Sequence, residues 1–82
     1  MVNFEWDEVK NAENQEKHGI AFEYVETVLV SGNVEFKYDD EHSMLDEHRF
    51  LATVMTKDYG EIVVSIVDID EDTTRIISAR KK

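Results

Sequence analysis

The chain has 82 residues, 41% hydrophobic and 34% charged, with nine Lys and Arg against nineteen Asp and Glu for a formal charge of −10. That length accommodates a single domain over residues 1–82 with a thin core, and the absence of cysteine excludes disulfide scaffolds and thiolate zinc sites. The acidic total argues against strong, non-specific affinity for phosphate polymers, and neither the acidic opening Met1–Asp7 nor any apolar run fits a signal peptide or a membrane span of roughly 18 residues, so a cytoplasmic protein is expected.

Asn3 to Trp6 alternates polar and apolar residues, the pattern of a short strand. Asp7 is then placed to cap a helix over about Glu8–His18. Glu8 favours its positive end, Lys17 and His18 its last turn, and Gly19 the left-handed stop. Phe22, Val25, Val28 and Leu29 recur at helical spacing and predict a second helix to about Val30, broken by Ser31-Gly32-Asn33. After Asn33 the period becomes two. Val34, Phe36 and Tyr38 predict a strand, Asp39–Glu47 a charged loop, and His48–Lys57 a second strand that turns at Asp58-Tyr59-Gly60. Glu61–Ile69 is apolar on both faces, which marks a central strand. Asp70-Glu71-Asp72 turns the chain into a last strand over Thr73–Arg80. The expected architecture is α+β, two N-terminal helices packed on one face of a four-stranded antiparallel sheet.

The first helix is unusual in having only Val9 and Ala12 as apolar positions, so a surface helix with few anchors is expected. Its polar residues are ordered, however: Lys10, Asn14, Lys17 and His18 share one helical face and present two ammonium groups, one amide and one imidazole. That face reads either as a solvated surface with pairs such as Glu13–Lys17 or as a phosphate-holding surface that includes a histidine. Residues 75–82 hold four cations and no anion, so the total of −10 divides into a body of −14 and an end of +4. A basic end reads as a solvated terminus or as a local phosphate site. Arg75 and Arg80 are five residues apart, and on an ideal strand they point to opposite faces, too separated to share one phosphate. The aromatics Phe4, Trp6, Phe22, Phe36 and Phe50 are read as core rather than as base-stacking platforms.

Other signals fail on spacing. Asp40-Glu41-His42 recurs as Asp46-Glu47-His48, but nothing fixes a ligand geometry there and a solvated loop is the default. Asp68, Asp70 and Asp72 open like a calcium loop, yet Thr73 and Ala79 stand where Gly and Glu are required. No metal and no cofactor are expected.

Several blocks of the chain resemble the BrnT-type toxins, a family of small bacterial proteins. They are Phe4-Glu5-Trp6-Asp7, Lys10-Asn11, Asn14, Lys17-His18-Gly19-Ile20 and Phe22, then Asp40-Glu41-His42-Ser43 and Glu47 with Arg49-Phe50, and last Arg75-Ile76-Ile77-Ser78-Ala79-Arg80-Lys81. The resemblance implies a RelE-like fold and an endoribonuclease that arrests translation. It also implies a BrnA-like ribbon-helix-helix antitoxin as partner, with DNA reached only through that antitoxin. Family members usually continue into a basic C-terminal helix, so this sequence reads as a C-terminally short and unusually acidic member. Metal-free RNA cleavage needs a base for the 2′-hydroxyl and cations for the scissile phosphate. On that basis His18, Lys17, Arg49 and Arg75 are the candidate catalytic residues, and Lys10, Asn14, Arg80 and Lys81 the candidate RNA-binding residues. The alternative is a catalytically inactive, acidic relative that serves as a protein-binding module.

Overall fold

The computed structural model describes residues 3–45 and 47–82. Elements follow in the order β1 (Asn3–Glu5), α1 (Glu8–His18), α2 (Phe22–Ser31), β2 (Val34–Tyr38), β3 (His48–Thr56), β4 (Gly60–Asp68) and β5 (Thr73–Lys81). The strands form one five-stranded sheet in the order β1-β5-β4-β3-β2, with β4 at its centre as its two apolar faces predict.

The sheet departs from the expected four antiparallel strands. β1 joins it as a fifth strand, parallel to β5, with Asn3 opposite Thr73 and Glu5 opposite Arg75. Parallel neighbours need a long connection, and here almost the whole chain lies between them. A three-residue strand carries no signal for a partner seventy positions away.

The helices start and stop as their capping residues dictate. The Asp7 carboxylate accepts from the Val9 amide at 2.8 Å, and Gly19 closes α1 at φ 71. Gly32 ends α2 for a different reason. A Cβ there would lie 2.7 Å from the Val28 carbonyl oxygen and 2.9 Å from the Val54 side chain, so only glycine lets the helix end pass so close to β3.

One face of the sheet carries the core. Phe22, Val25 and Leu29 of α2, with Ile20 before it, pack on Ala52 and Val54 of β3, Ile62, Val64 and Ile66 of β4, and Ile76 and Ala79 of β5. Phe4, Trp6 and Phe50 border that cluster. Phe36 does not belong to it: it is 45% exposed on the edge strand β2.

α1 contributes no apolar side chain to the core, and Val9 is 67% exposed. Its anchors are two buried asparagines. The Asn14 amide donates to the Ile20 carbonyl at 2.9 Å, and its Oδ1 accepts from the Ala79 amide at 3.0 Å. The Asn11 Oδ1 accepts from the Phe22 amide at 2.9 Å, and so supplies the cap that Ala21 lacks at the start of α2. No buried side-chain nitrogen or oxygen among the described residues lacks a partner, which is the condition under which buried amides stabilise a fold.

Candidate nucleic-acid interface

The decisive local feature is a β-bulge in β5. Its register against β4 runs Val67–Arg75 and Ile66–Ile76, then shifts so that Ser65 faces Ser78, Val64 faces Ala79 and Val63 faces Arg80. Ile77 is the extra residue. Past a bulge the alternation of side chains is reversed. Arg75 and Arg80 therefore stand on the same face of the sheet, opposite the helix-covered core, and the opposite-face expectation drawn from an ideal strand is corrected. The same shift puts both Ile76 and Ala79 in the core.

Across that outer face the registers line up Glu5, Arg75, Val67 and Arg49 on four successive strands. Arg49 and Arg75 flank Val67, about 9–10 Å apart at Cα from two strand spacings. Val67 is only 4% exposed although no second layer of described residues covers it, as expected where arginine stems lie over an apolar floor. Arg80 lies in a parallel row, four residues of β4 or about 13–14 Å away. Arg49 is fixed at the start of its strand by Ser43, whose hydroxyl accepts from the Arg49 amide at 2.9 Å.

Two adjoining hollows flank this row. The larger, about 720 Å³, is lined by Trp6, Lys10, Arg49, Val67, Arg75 and Ile77 together with the acidic residues Glu5, Asp7 and Glu47, and at its end by Asp68. Its volume falls in the range of ligand clefts. The smaller, about 230 Å³, is lined by Lys10, Glu13, Asn14, Lys17, His18, Ile77 and Ser78. Lys10 and Ile77 belong to both, so the two form one continuous trough along α1 and β5.

The structure thus brings six of the eight sequence-predicted residues to this trough: Lys10, Asn14, Lys17, His18, Arg49 and Arg75. They do not have equal freedom. The Asn14 side chain is buried, with its oxygen and its amide nitrogen both bonded within the fold. Lys10 and Lys17 are exposed and enter no ion pair among the described residues. Arg80 lies outside the trough on the same sheet face. Lys81 pairs with Ile62 on the helix side, with its ammonium 5.9 Å from the centre of the Tyr59 ring. Most of the basic end is built into the strand β5, with Arg80 and Lys81 still exposed, and Lys82, just past the strand and also exposed, pairs with Glu61 at 3.2 Å.

Two trough residues were missed from sequence. Glu5 accepts from the Arg75 Nε at 2.7 Å, and Glu47 accepts from the Arg49 Nε at 2.9 Å. Glu47 lies just before β3, two residues from Arg49, and its only sequence signal is that closeness. Glu5 had none, because its partner is set by the parallel pairing. Among the described residues no three of His, Asp and Glu gather as metal ligands, and Asp46 of the repeated Asp-Glu-His triplet lies outside them.

A family model described as the ribonuclease toxin BrnT of a type II toxin–antitoxin system matches residues 6–82. The chain belongs to the BrnT toxin family. No curated protein matches it. Membership in the BrnT family makes this a ribonuclease-type toxin with an antitoxin partner and an RNA target. No helix among the described residues is long and apolar enough to cross a membrane.

Proposed function

We propose that this BrnT-family protein is a metal-independent endoribonuclease that arrests translation in the cytoplasm and is neutralised by a ribbon-helix-helix antitoxin. The observation that carries the reading is the trough in which Arg49, Arg75 and Lys10 adjoin Lys17 and His18. His18 takes the proton of a 2′-hydroxyl, and the freed oxygen attacks the adjacent phosphorus. The 5′-oxygen of the next nucleotide leaves with a proton, yielding a 2′,3′-cyclic phosphate and a 5′-hydroxyl. Charge builds on the phosphate in that step, and fixed cations stabilise it. Lys10 and Lys17, which line the same hollow as His18, hold the scissile phosphate. Arg49 and Arg75 grip a neighbouring phosphate with planar, bidentate donors. Arg80 extends the contact along the outer face.

The test is cleavage of a single-stranded RNA by the purified protein in excess EDTA, with the ends of the fragments identified. Cyclic phosphate ends, lost in Arg75→Ala and His18→Ala, support the reading. Cleavage that is abolished by EDTA, or unchanged in both variants, overturns it.

A second reading rests on a specific observation. Both trough arginines carry a glutamate, and the trough's lining holds as many acids as bases. This arrangement suits a non-cleaving relative that binds a basic protein. Induced expression separates the two: growth arrest relieved by Arg75→Ala supports the toxin, and healthy cells rich in soluble protein support the binder.

A further inference from the structure

We propose that the helix-side face of the sheet, where the helices leave it bare, is an anchoring groove for a basic, amphipathic segment of the antitoxin. This inference rests on the toxin reading, and concerns the surface opposite the arginine row.

The helices pack on the sheet through Phe22, Val25 and Leu29, and their cover reaches β2 at Val34 but leaves Phe36 and Tyr38, further along that strand, exposed. Beyond it lies a groove of about 320 Å³ with an apolar floor of Phe36, Phe50 and Ile66 and a rim of Asp68, Asp70 and Glu71. Phe36 is 45% exposed, and Tyr38, next on the same face of β2, is 40% exposed. Among the described residues no cation lines the groove. An apolar floor calls for apolar side chains, and an all-anionic rim calls for Lys or Arg beside them.

Charge selects among occupants. RNA is repelled by the three rim carboxylates. A second copy of this chain in a two-fold contact would set the same patch against itself, acid facing acid. A basic segment gains on both counts, and the chain's net charge of −10 steers it in. The groove therefore fits the partner that a toxin must have, and leaves the trough on the other face free for a separate part of that partner.

The experiment measures binding of the full chain to the antitoxin encoded beside it by calorimetry at low salt and at 0.5 M salt. Phe36→Asn removes floor, and Glu71→Lys reverses one rim charge while keeping the Asp70 bonds that hold the turn. Asp70 is left intact because its carboxylate caps the Asp72 and Thr73 amides at 2.9 Å each. Each variant is expected to weaken binding at least tenfold at low salt, and Glu71→Lys also to flatten the salt dependence. Circular dichroism melting shows that each variant folds, and RNA cleavage by the free variants is expected at the wild-type rate. Affinities within twofold of wild type in both variants overturn the inference and leave the ribonuclease reading standing. A wild-type chain that binds no antitoxin overturns the inference together with the toxin–antitoxin reading. An inactive free chain that still binds through this groove removes the ribonuclease reading alone. Sedimentation of the free chain as a dimer that Phe36→Asn dissolves would assign the groove to self-association instead.

Discussion

The two helices are held to the same sheet by opposite chemistry. α2 buries Phe22, Val25 and Leu29 and is fixed by the hydrophobic effect. α1 buries only Asn11 and Asn14 and is fixed by hydrogen bonds: to Ile20 and Ala79 from Asn14, and to Phe22 and Glu23 from Asn11. Apolar anchoring is non-directional and tolerates repacking. Amide anchoring sets a helix at one height and one rotation. A helix held that way can leave Lys10, Lys17 and His18 in solvent at a defined place beside β5. The residues of the family motif therefore divide in two. Asn11, Asn14, Gly19, Ile20 and Phe22 build the scaffold, and Lys10, Lys17 and His18 are what the scaffold presents.

That division is breakable by substitution. The largest effect is expected at the presented face. His18→Ala should slow RNA cleavage about 100- to 10,000-fold, the usual contribution of a positioned base, with the urea midpoint unchanged. A smaller rate loss with unaltered binding would move the base elsewhere in the trough. Next comes the apolar anchor: Phe22→Ala should cost about 3–5 kcal/mol of unfolding free energy. Asn14→Ala should follow closely, at about 2–4 kcal/mol, because it strands the buried Ala79 amide and Ile20 carbonyl. Asn14→Asp should be no milder, since a carboxylate cannot donate to Ile20 and is buried besides. By contrast Lys17→Ala should change stability by no more than about 0.5 kcal/mol while weakening RNA binding, and urea titration beside a binding isotherm separates the two.

The smallest effect lies between the helices. Asn11 donates to Glu23 at 2.9 Å, and that bond, with the Glu23 backbone amide, holds the carboxyl below its usual range. A depressed folded value stabilises above the unfolded pKa of about 4.3 and loses that stability as pH falls through the lowered one. Melting curves should therefore show wild type slightly above Glu23→Gln at pH 7, with the gap closing below about pH 4. A gap that widens on acidification would reverse the assigned sign.

Much of this was legible in the chain itself. The helix limits followed from Asp7, Gly19 and Gly32, and the central place of β4 followed from its two apolar faces. The cationic residues of α1 were found by helical spacing alone. What spacing misjudged was Asn14, which shares the face of Lys10 and Lys17 yet points into a buried contact with β5. Phe36 was misjudged for the converse reason. Its alternation marks a strand face, and alternation carries no information on whether a helix lies above it.

The sequence by itself determined the elements, their ends and the chemical types on each face, because caps, glycines and hydrophobic periods act within a few residues. Only the tertiary structure decided the site. The bulge at Ile77 turns Arg80 onto the face of Arg75. The parallel pairing of β1 sets Glu5 on Arg75 across seventy positions. Val67 of the central strand spaces Arg75 from Arg49. Each of these depends on register between distant strands, and register is fixed by the packing of the whole sheet rather than by any local run of residues.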